Sequence, residues 1–204
     1  MSEPCRSTRE IATIVPGVRH WSVLDDRVGF RSEAYAIDGP FGRVLIDPLP
    51  FDDPVGNELE PISAICITGA FHQRSAWRLR RRFRVPVHAP HGAAPLVEPP
   101  DRHYRDGEQP LAGLYARFRH GPTNPHAVLV WQAPSHRVLF SGDLLIRAAG
   151  GPFSLVPDEH QQDPARTRAA VRALLDEAAD VLCPAHGAPL TGGVAAAIAA
   201  AIAR

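Results

Sequence analysis

Lysine is absent from this sequence of 204 residues, so all 22 basic residues are arginines. That excludes Schiff-base chemistry on a side-chain amine, pyridoxal anchoring and a P-loop lysine. Acidic residues also number 22, and the formal net charge is zero. Such a balance argues against a protein held mainly by nucleic-acid phosphates or by an anionic membrane. Cysteine is scarce. Cys5, Cys66 and Cys183 are an odd, sparse set that makes no disulfide framework and reads as a reducing compartment. No apolar run follows a basic start, so no signal peptide is expected. The longest apolar stretch, 194–203, is Ala-rich and about half a membrane span. These absences predict a soluble, cytoplasmic protein with neither a membrane nor a nucleic acid as partner. They leave its oligomeric state open.

What is present is ordinary for a globular chain: 45% hydrophobic and 22% charged residues. The length fits one domain, and 1–204 is read as such. The 21 prolines are spread along the chain rather than massed in a linker, which predicts many ordered turns. Abundant Arg, Ala and Pro without Lys suggests a GC-rich bacterial genome.

In the first half, short apolar runs alternate with turns. A strand is expected at 11–15, then a hairpin of 30–37 with 43–46. The run Ile-Ser-Ala-Ile-Cys-Ile-Thr at 62–68 reads as a strand buried on both faces. The period then changes. Residues 74–83 suit a helix whose stripe is Ala76, Leu79 and Phe83, with arginines elsewhere. A short strand from 85 completes a strand–helix–strand unit, which implies a parallel crossover. The proline-rich 90–110 reads as loop, with His88 and His91 on the surface.

In the second half, strands are expected at 111–119, 127–131 and 137–140, with a loop at 150–164. A helix at 165–179 is capped by Asp163, with Pro164 at its first position and an apolar face of Val171, Leu174, Leu175 and Ala178. A buried strand at 180–183 and a terminal helix at 191–203, capped by Thr191, close the chain.

Four strand ends carry polar residues suited to chemistry. Gly69-Ala70-Phe71-His72-Gln73-Arg74 follows the first buried strand. His120-Gly121-Pro122-Thr123-Asn124-Pro125-His126, Ser141-Gly142-Asp143 and Pro184-Ala185-His186-Gly187 follow three others. Imidazole and carboxylate at such ends suit zinc, iron or manganese.

From about Val15 onward, this order and spacing resembles the metallo-β-lactamase fold superfamily, close in look to its hydroxyacylglutathione-hydrolase-like branch. Val44-Leu45-Ile46-Asp47 is similar to the family's early apolar run ending in Asp. Ser141-Gly142-Asp143 resembles its Gly-Asp segment, and Pro184-Ala185-His186-Gly187 its late His motif. His186 follows Asp143 by 43 positions. The resemblance implies an α/β fold, a four-layer αββα sandwich, with metals at the strand ends between the sheets.

The departures are as informative. The family's Thr-His-x-His-x-Asp-His signature, laid on Thr68, falls on Gly69, Phe71, Gln73 and Arg74. None of these is the expected ligand. Its Gly-His-Thr-Pro-Gly motif falls on Gly121-Pro122-Thr123-Asn124-Pro125, which puts a proline where a histidine belongs. Only Asp143 and His186 keep expected ligand positions. Asp47 reads as a structural residue holding a loop beneath the site.

The leading expectation is therefore a divergent superfamily member with a degraded dinuclear site. It would lack ordinary metal-hydroxide hydrolysis and bind a small anionic ligand through Arg74, His72 and His186. Arg74 would either pair with Asp143, filling the space of a lost metal, or sit solvated in a first helical turn. One alternative is a hydrolase of esters, thioesters or lactones with a single divalent metal on His72, Asp143 and His186, with His120 or His126 as a fourth ligand. The other is a partner-binding module using the face of Arg78, Arg80, Arg81, Arg82 and Arg84; a solvated helix face is the simpler reading of those arginines. Cys66 and Cys183 read as small core residues, and Trp77 as core or interface.

Overall fold

The computed structural model describes residues 3–204, and the chain divides into two compact units, the first ending at Tyr104 and the second spanning Arg105–Arg204. Among the described residues, the first unit is built on a seven-stranded sheet whose strands lie in chain order. They are β1 (Ala12–Val15), β2 (Val18–Asp25), β3 (Phe30–Gly39), β4 (Gly42–Ile46), β5 (Ile62–Cys66), β6 (Val87–Pro90) and β7 (Arg102–Tyr104). The first four pair antiparallel as a meander. The pairings from β4 onward are parallel, as the strand–helix–strand pattern predicts. Two helices make the crossovers, α1 (Asp53–Leu59) and α2 (Ala76–Phe83). Their apolar residues Val55, Leu59, Trp77 and Leu79 pack with Ala34, Ala36, Leu45 and Ile65 of the sheet in one buried cluster.

The sequence reading assigns no element to 18–25 or 53–59, yet both are regular. In β2, Trp21 and Val23 alternate inward, but Arg19 and Asp25 on the same face mask the pattern. α1 carries Pro54 and Gly56, both poor helix formers. Two further corrections concern 88–104. His88 is buried in β6, not on the surface, and the expected loop contains β7.

Helix α2 starts at Ala76 rather than Arg74 because Arg74 has φ +34°, which no helix accommodates. Its arginines are mostly paired within this unit: Arg78 with Glu3 at 3.2 Å, Arg80 with Asp101 at 2.8 Å, Arg82 with Asp53 at 2.9 Å, and Arg81 with Glu98. The simpler reading of those side chains, a charged helix face, describes what is found.

The second unit holds β8 (Leu114–Phe118), β9 (Ala127–Gln132), β10 (Arg137–Arg147), β11 (Phe153–Ser154), β12 (Val181–His186) and β13 (Leu190–Thr191). The sheet order is β13-β12-β10-β9-β8, with β11 pairing β10. β10 and β12 run parallel through α3 (Pro164–Ala173), and α4 (Val194–Ile202) ends the chain. Val171, Leu174 and Ile198 pack on Leu139, Leu182 and Val130. Beyond β8, Gly107 N–H donates to Ala116 O at 3.0 Å, and Ala116 N–H to Glu108 O at 2.8 Å, so the preceding segment occupies that edge.

Asp163 caps α3 as expected, its carboxylate accepting Arg166 N–H at 3.0 Å, with Pro164 in the first turn. The helix is shorter than its apolar pattern suggests. It tightens into a 3-10 turn at Leu174–Glu177 and stops at Ala178, which is exposed at φ +47° and so leaves the apolar face. That turn swings the buried Glu177 onto Arg137 at 2.8 Å. Thr191 does not cap the last helix. It pairs with Val181 in β13, and Gly193, at φ +65°, takes the cap position. Among the described residues, no helix is long and apolar enough to cross a membrane.

Candidate functional site

The residues singled out by sequence gather in each unit around one feature. In the first unit it is Asp47, at the end of β4. Its N–H donates to Cys66 O at 3.0 Å, and its backbone has φ +47°. A non-glycine residue in that region is uncommon and costs of order 1 kcal/mol, so it persists only where the surroundings enforce it. Here they do. Oδ1 accepts Thr68 N–H at 2.7 Å, Oδ2 accepts the Thr68 hydroxyl at 2.7 Å, and His72 Nδ1 lies 3.1 Å from Oδ2. His72 Nδ1 is also 2.6 Å from Thr68 Oγ1. Asp47, Thr68 and His72 are all buried. Burial by itself would raise the Asp47 pKa. The charge and hydrogen bond of His72, the charge of Arg74 and the Thr68 hydrogen bond outweigh it, so the carboxyl stays below its usual range. The reading of Asp47 as the holder of a loop matches this geometry.

Arg74 is only 2% exposed. A solvated place in the first turn of α2 is therefore wrong. Its Nη1 donates to Glu33 O at 2.7 Å and to Asp47 O at 3.1 Å, which ties α2's approach to β3 and to the end of β4. Glu33 is itself buried, with His20 Nε2 at 2.6 Å from its Oε2. The other residues of the loop face different tasks. Gln73 Oε1 accepts Trp77 Nε1–H at 2.8 Å and Val97 N–H at 2.7 Å, while the Phe71 ring is 64% exposed. Trp77 is core.

In the second unit, Asp143 is not past a strand end, as the sequence suggests, but inside the long β10. The register against β12 shifts between Phe140 and Gly142 and again before Ile146, with Gly142 at φ +55°. Such a bulge re-aims the side chains that follow it. Asp143 Oδ1 lies 3.4 Å from His186 Nε2 at the end of β12. Gly187 follows at φ +92°, and a Cβ there would meet Arg147 O at 2.0 Å, so only glycine lets the chain turn past β10. His126 is buried, and its Nε2 sits 3.0 Å from Ser141 O. His120 contacts Asn124 at 3.3 Å. Cys66 and Cys183 are buried thiols whose pKa burial pushes up, as suits core residues rather than nucleophiles.

Thr68 and Glu33 were not singled out by sequence. A hydroxyl four residues before His72, closing an apolar run, was a usable signal for Thr68. Glu33 gave none, because its strand partner β2 was itself unread.

A family model, that of the metallo-beta-lactamase superfamily, matches residues 27–186. The chain belongs to the metallo-β-lactamase superfamily. Solved structures agree. A metallo-beta-lactamase from Pontibacter korlensis is 19% identical, with TM-score 0.73, over 96% of this chain and 99% of that one. The metallo-beta-lactamase FIM-1 from Pseudomonas aeruginosa, in its mono-zinc form, is 16% identical with TM-score 0.73, over 95% and 94%. One from Hirschia baltica is 16% identical with TM-score 0.70, over 95% and 97%. At these identities the likeness establishes the fold, and the α/β class expected from the sequence, the αββα sandwich of this superfamily, is the one found. No curated protein matches the chain.

Proposed function

We propose that this protein is a divergent superfamily member that has given up the two-metal centre and binds a small anionic ligand through Arg74, His72 and His186. The observation that carries this reading is the burial of Arg74 at a family ligand position, its guanidinium fixed on Glu33 O and Asp47 O. A permanent cation there opposes a second cation, and Gly69, Phe71 and Gln73 supply no strong metal donor. The first-unit residues thus do not fit a dinuclear centre. In the proposal Arg74 pairs with Asp143 where the lost metal would lie, an arginine fork being well suited to a half-buried carboxylate. The protein works in a reducing, cytoplasmic setting without a nucleic-acid or membrane partner.

A second reading is favoured by the Asp47–Thr68–His72 contacts. They hold His72 by Nδ1, the arrangement that commonly orients a metal-bound imidazole. In this reading His72, Asp143 and His186 hold one divalent ion, zinc, iron or manganese, which would supply Lewis-acid activation of water toward esters, thioesters or lactones. One structural neighbour was solved in a mono-zinc form.

Elemental analysis of protein purified without chelator separates the two. Substoichiometric metal, with phosphate or a small carboxylate raising the melting temperature in the native protein but not in His186→Ala, is the expected result. About one equivalent, lost in His72→Ala and His186→Ala, would move the conclusion to the second reading. Two equivalents would overturn both.

A further inference from the structure

The last pairing of the first unit brings two histidines together. Ala89 of β6 and His103 of β7 are register partners, and His91 follows Ala89 by two positions, so both imidazoles leave the same face of the sheet. His91 N–H donates to Tyr104 O at 2.8 Å, which carries the pairing one residue past β6. Both side chains are exposed. Their ring centroids lie 5.9 Å apart with the planes at 70°, edge to face. Among the described residues, neither ring has a hydrogen-bond partner.

The chain between them, 92–101, is an irregular loop that contains Pro95, Pro99 and Pro100. Its middle is held by Gln73, whose Oε1 accepts Val97 N–H at 2.7 Å and whose Nε2 donates to Pro95 O at 3.3 Å. Gln73 stands between His72 and Arg74 in the sequence.

A close pair of imidazoles can chelate. Zinc–nitrogen bonds of about 2.0–2.1 Å at a tetrahedral angle place two bound ring centroids about 5 Å apart. The observed 5.9 Å exceeds this by about one ångström or less, which small rotations of two exposed side chains close.

We propose that His91 and His103 form a site for zinc, or another late first-row divalent ion, that clips the base of the 92–101 loop. Imidazole suits zinc, nickel and copper, and two rings leave the remaining positions to water. The site does not rest on the function proposed above. Joining the two ends of a loop limits the shapes it can take, so the ion orders the segment whose middle Gln73 grips. The order of this loop thereby follows the supply of metal. Two protein ligands hold the ion loosely and it is lost on desalting, so metal counted in the purified protein reports on the site of the proposed function.

The test is an NMR titration of the histidine rings at about pH 7.5, above the ordinary histidine pKa. The two rings are assigned by their loss in His91→Gln and His103→Gln, and the native titration needs no variant to fold. In the native protein, zinc is expected to shift both ring signals along one binding curve and nickel to broaden both. Manganese, which prefers oxygen ligands, leaves them sharp. In His91→Gln the His103 signal needs at least about tenfold more zinc, the low end of what disturbing even an outer partner of a metal ligand costs. The converse holds in His103→Gln. Zinc also slows protease cleavage within 92–101 in the native protein and in neither variant. Rings that each keep their own curve when the other is replaced overturn the proposal. So do rings unmoved by a large excess of zinc, and so does cleavage of the loop that ignores zinc. Responses of His72 and His186 in the same spectra report on the proposed function, and either result there leaves this one standing.

Discussion

The β5–α2 loop of the first unit and the β10 and β12 motifs of the second have diverged differently. The first carries Gly69, Phe71, Gln73 and Arg74 where the resemblance leads one to expect histidines and an aspartate, and it is tightly held, by Arg74 on two carbonyls and by Asp47 on Thr68. The second keeps its Asp and His, and its local constraints are backbone ones: a bulge at Gly142 and a turn at Gly187. Ligand chemistry and loop order are thus separable. A loop can be ordered by a buried charge and hydrogen bonds alone, without a ligand to hold it.

Arg74 offers the sharpest way to break that comparison. Arg74→Ala removes two buried hydrogen bonds and a guanidinium, and the expected loss is about 3–5 kcal/mol, the range for deleting one member of a buried charged network. For a chain of this size that is a fall in Tm of roughly 6–20 °C. Arg74→Lys, with no planar fork, restores little of it. A Tm within about 2 °C of the native protein, a difference of no more than about 1 kcal/mol, would show that the loop does not depend on the cation.

Gly187 tests the other side. Gly187→Ala drives a Cβ into Arg147 O at a backbone angle that side chains avoid, at an expected cost of about 2 kcal/mol. Denaturant unfolding reads this directly, and an unchanged midpoint would mean that the β12 turn is not fixed by that glycine.

The smallest effect belongs to His88. Burial, and then the charge of Arg102, lower its pKa against the pull of Asp101. A histidine kept neutral in the fold stabilises it above the unfolded value, and that contribution fades as pH falls below about 6.5. The Tm of the native protein should therefore drop more steeply between about pH 7 and pH 5 than that of His88→Gln. Parallel curves would remove His88 from the acid response.

How much of this could be read in the sequence follows from what each residue depends on. The buried run before Thr68, the Asp163 cap and the His-Gly end of β12 are local patterns, and they were legible; the place of Asp143 within β10 was not, because the bulge at Gly142 lets the strand continue past it. So was the meaning of Asp47, because it ends an apolar run in a recognisable motif. β2 was not, because Arg19 and Asp25 are charged residues on the same face as Trp21 and Val23 and break its apolar alternation. The burial of His88 was hidden too, since it depends on strands that pair across the sheet. The meeting of Asp47, Thr68 and His72 depends on how the β4 end and the β5–α2 loop fold, which no spacing encodes.

The short segment that lies along β8 has a consequence beyond the site. Where a sheet stops, its last ladder invites any stray strand to continue it. Here the amide and carbonyl of Ala116 are already engaged by Glu108 and Gly107. A chain emerging crowded from the ribosome would find that berth filled by a neighbour from its own sequence, a safeguard against aggregation that depends on a few residues of irregular backbone and on no catalytic group.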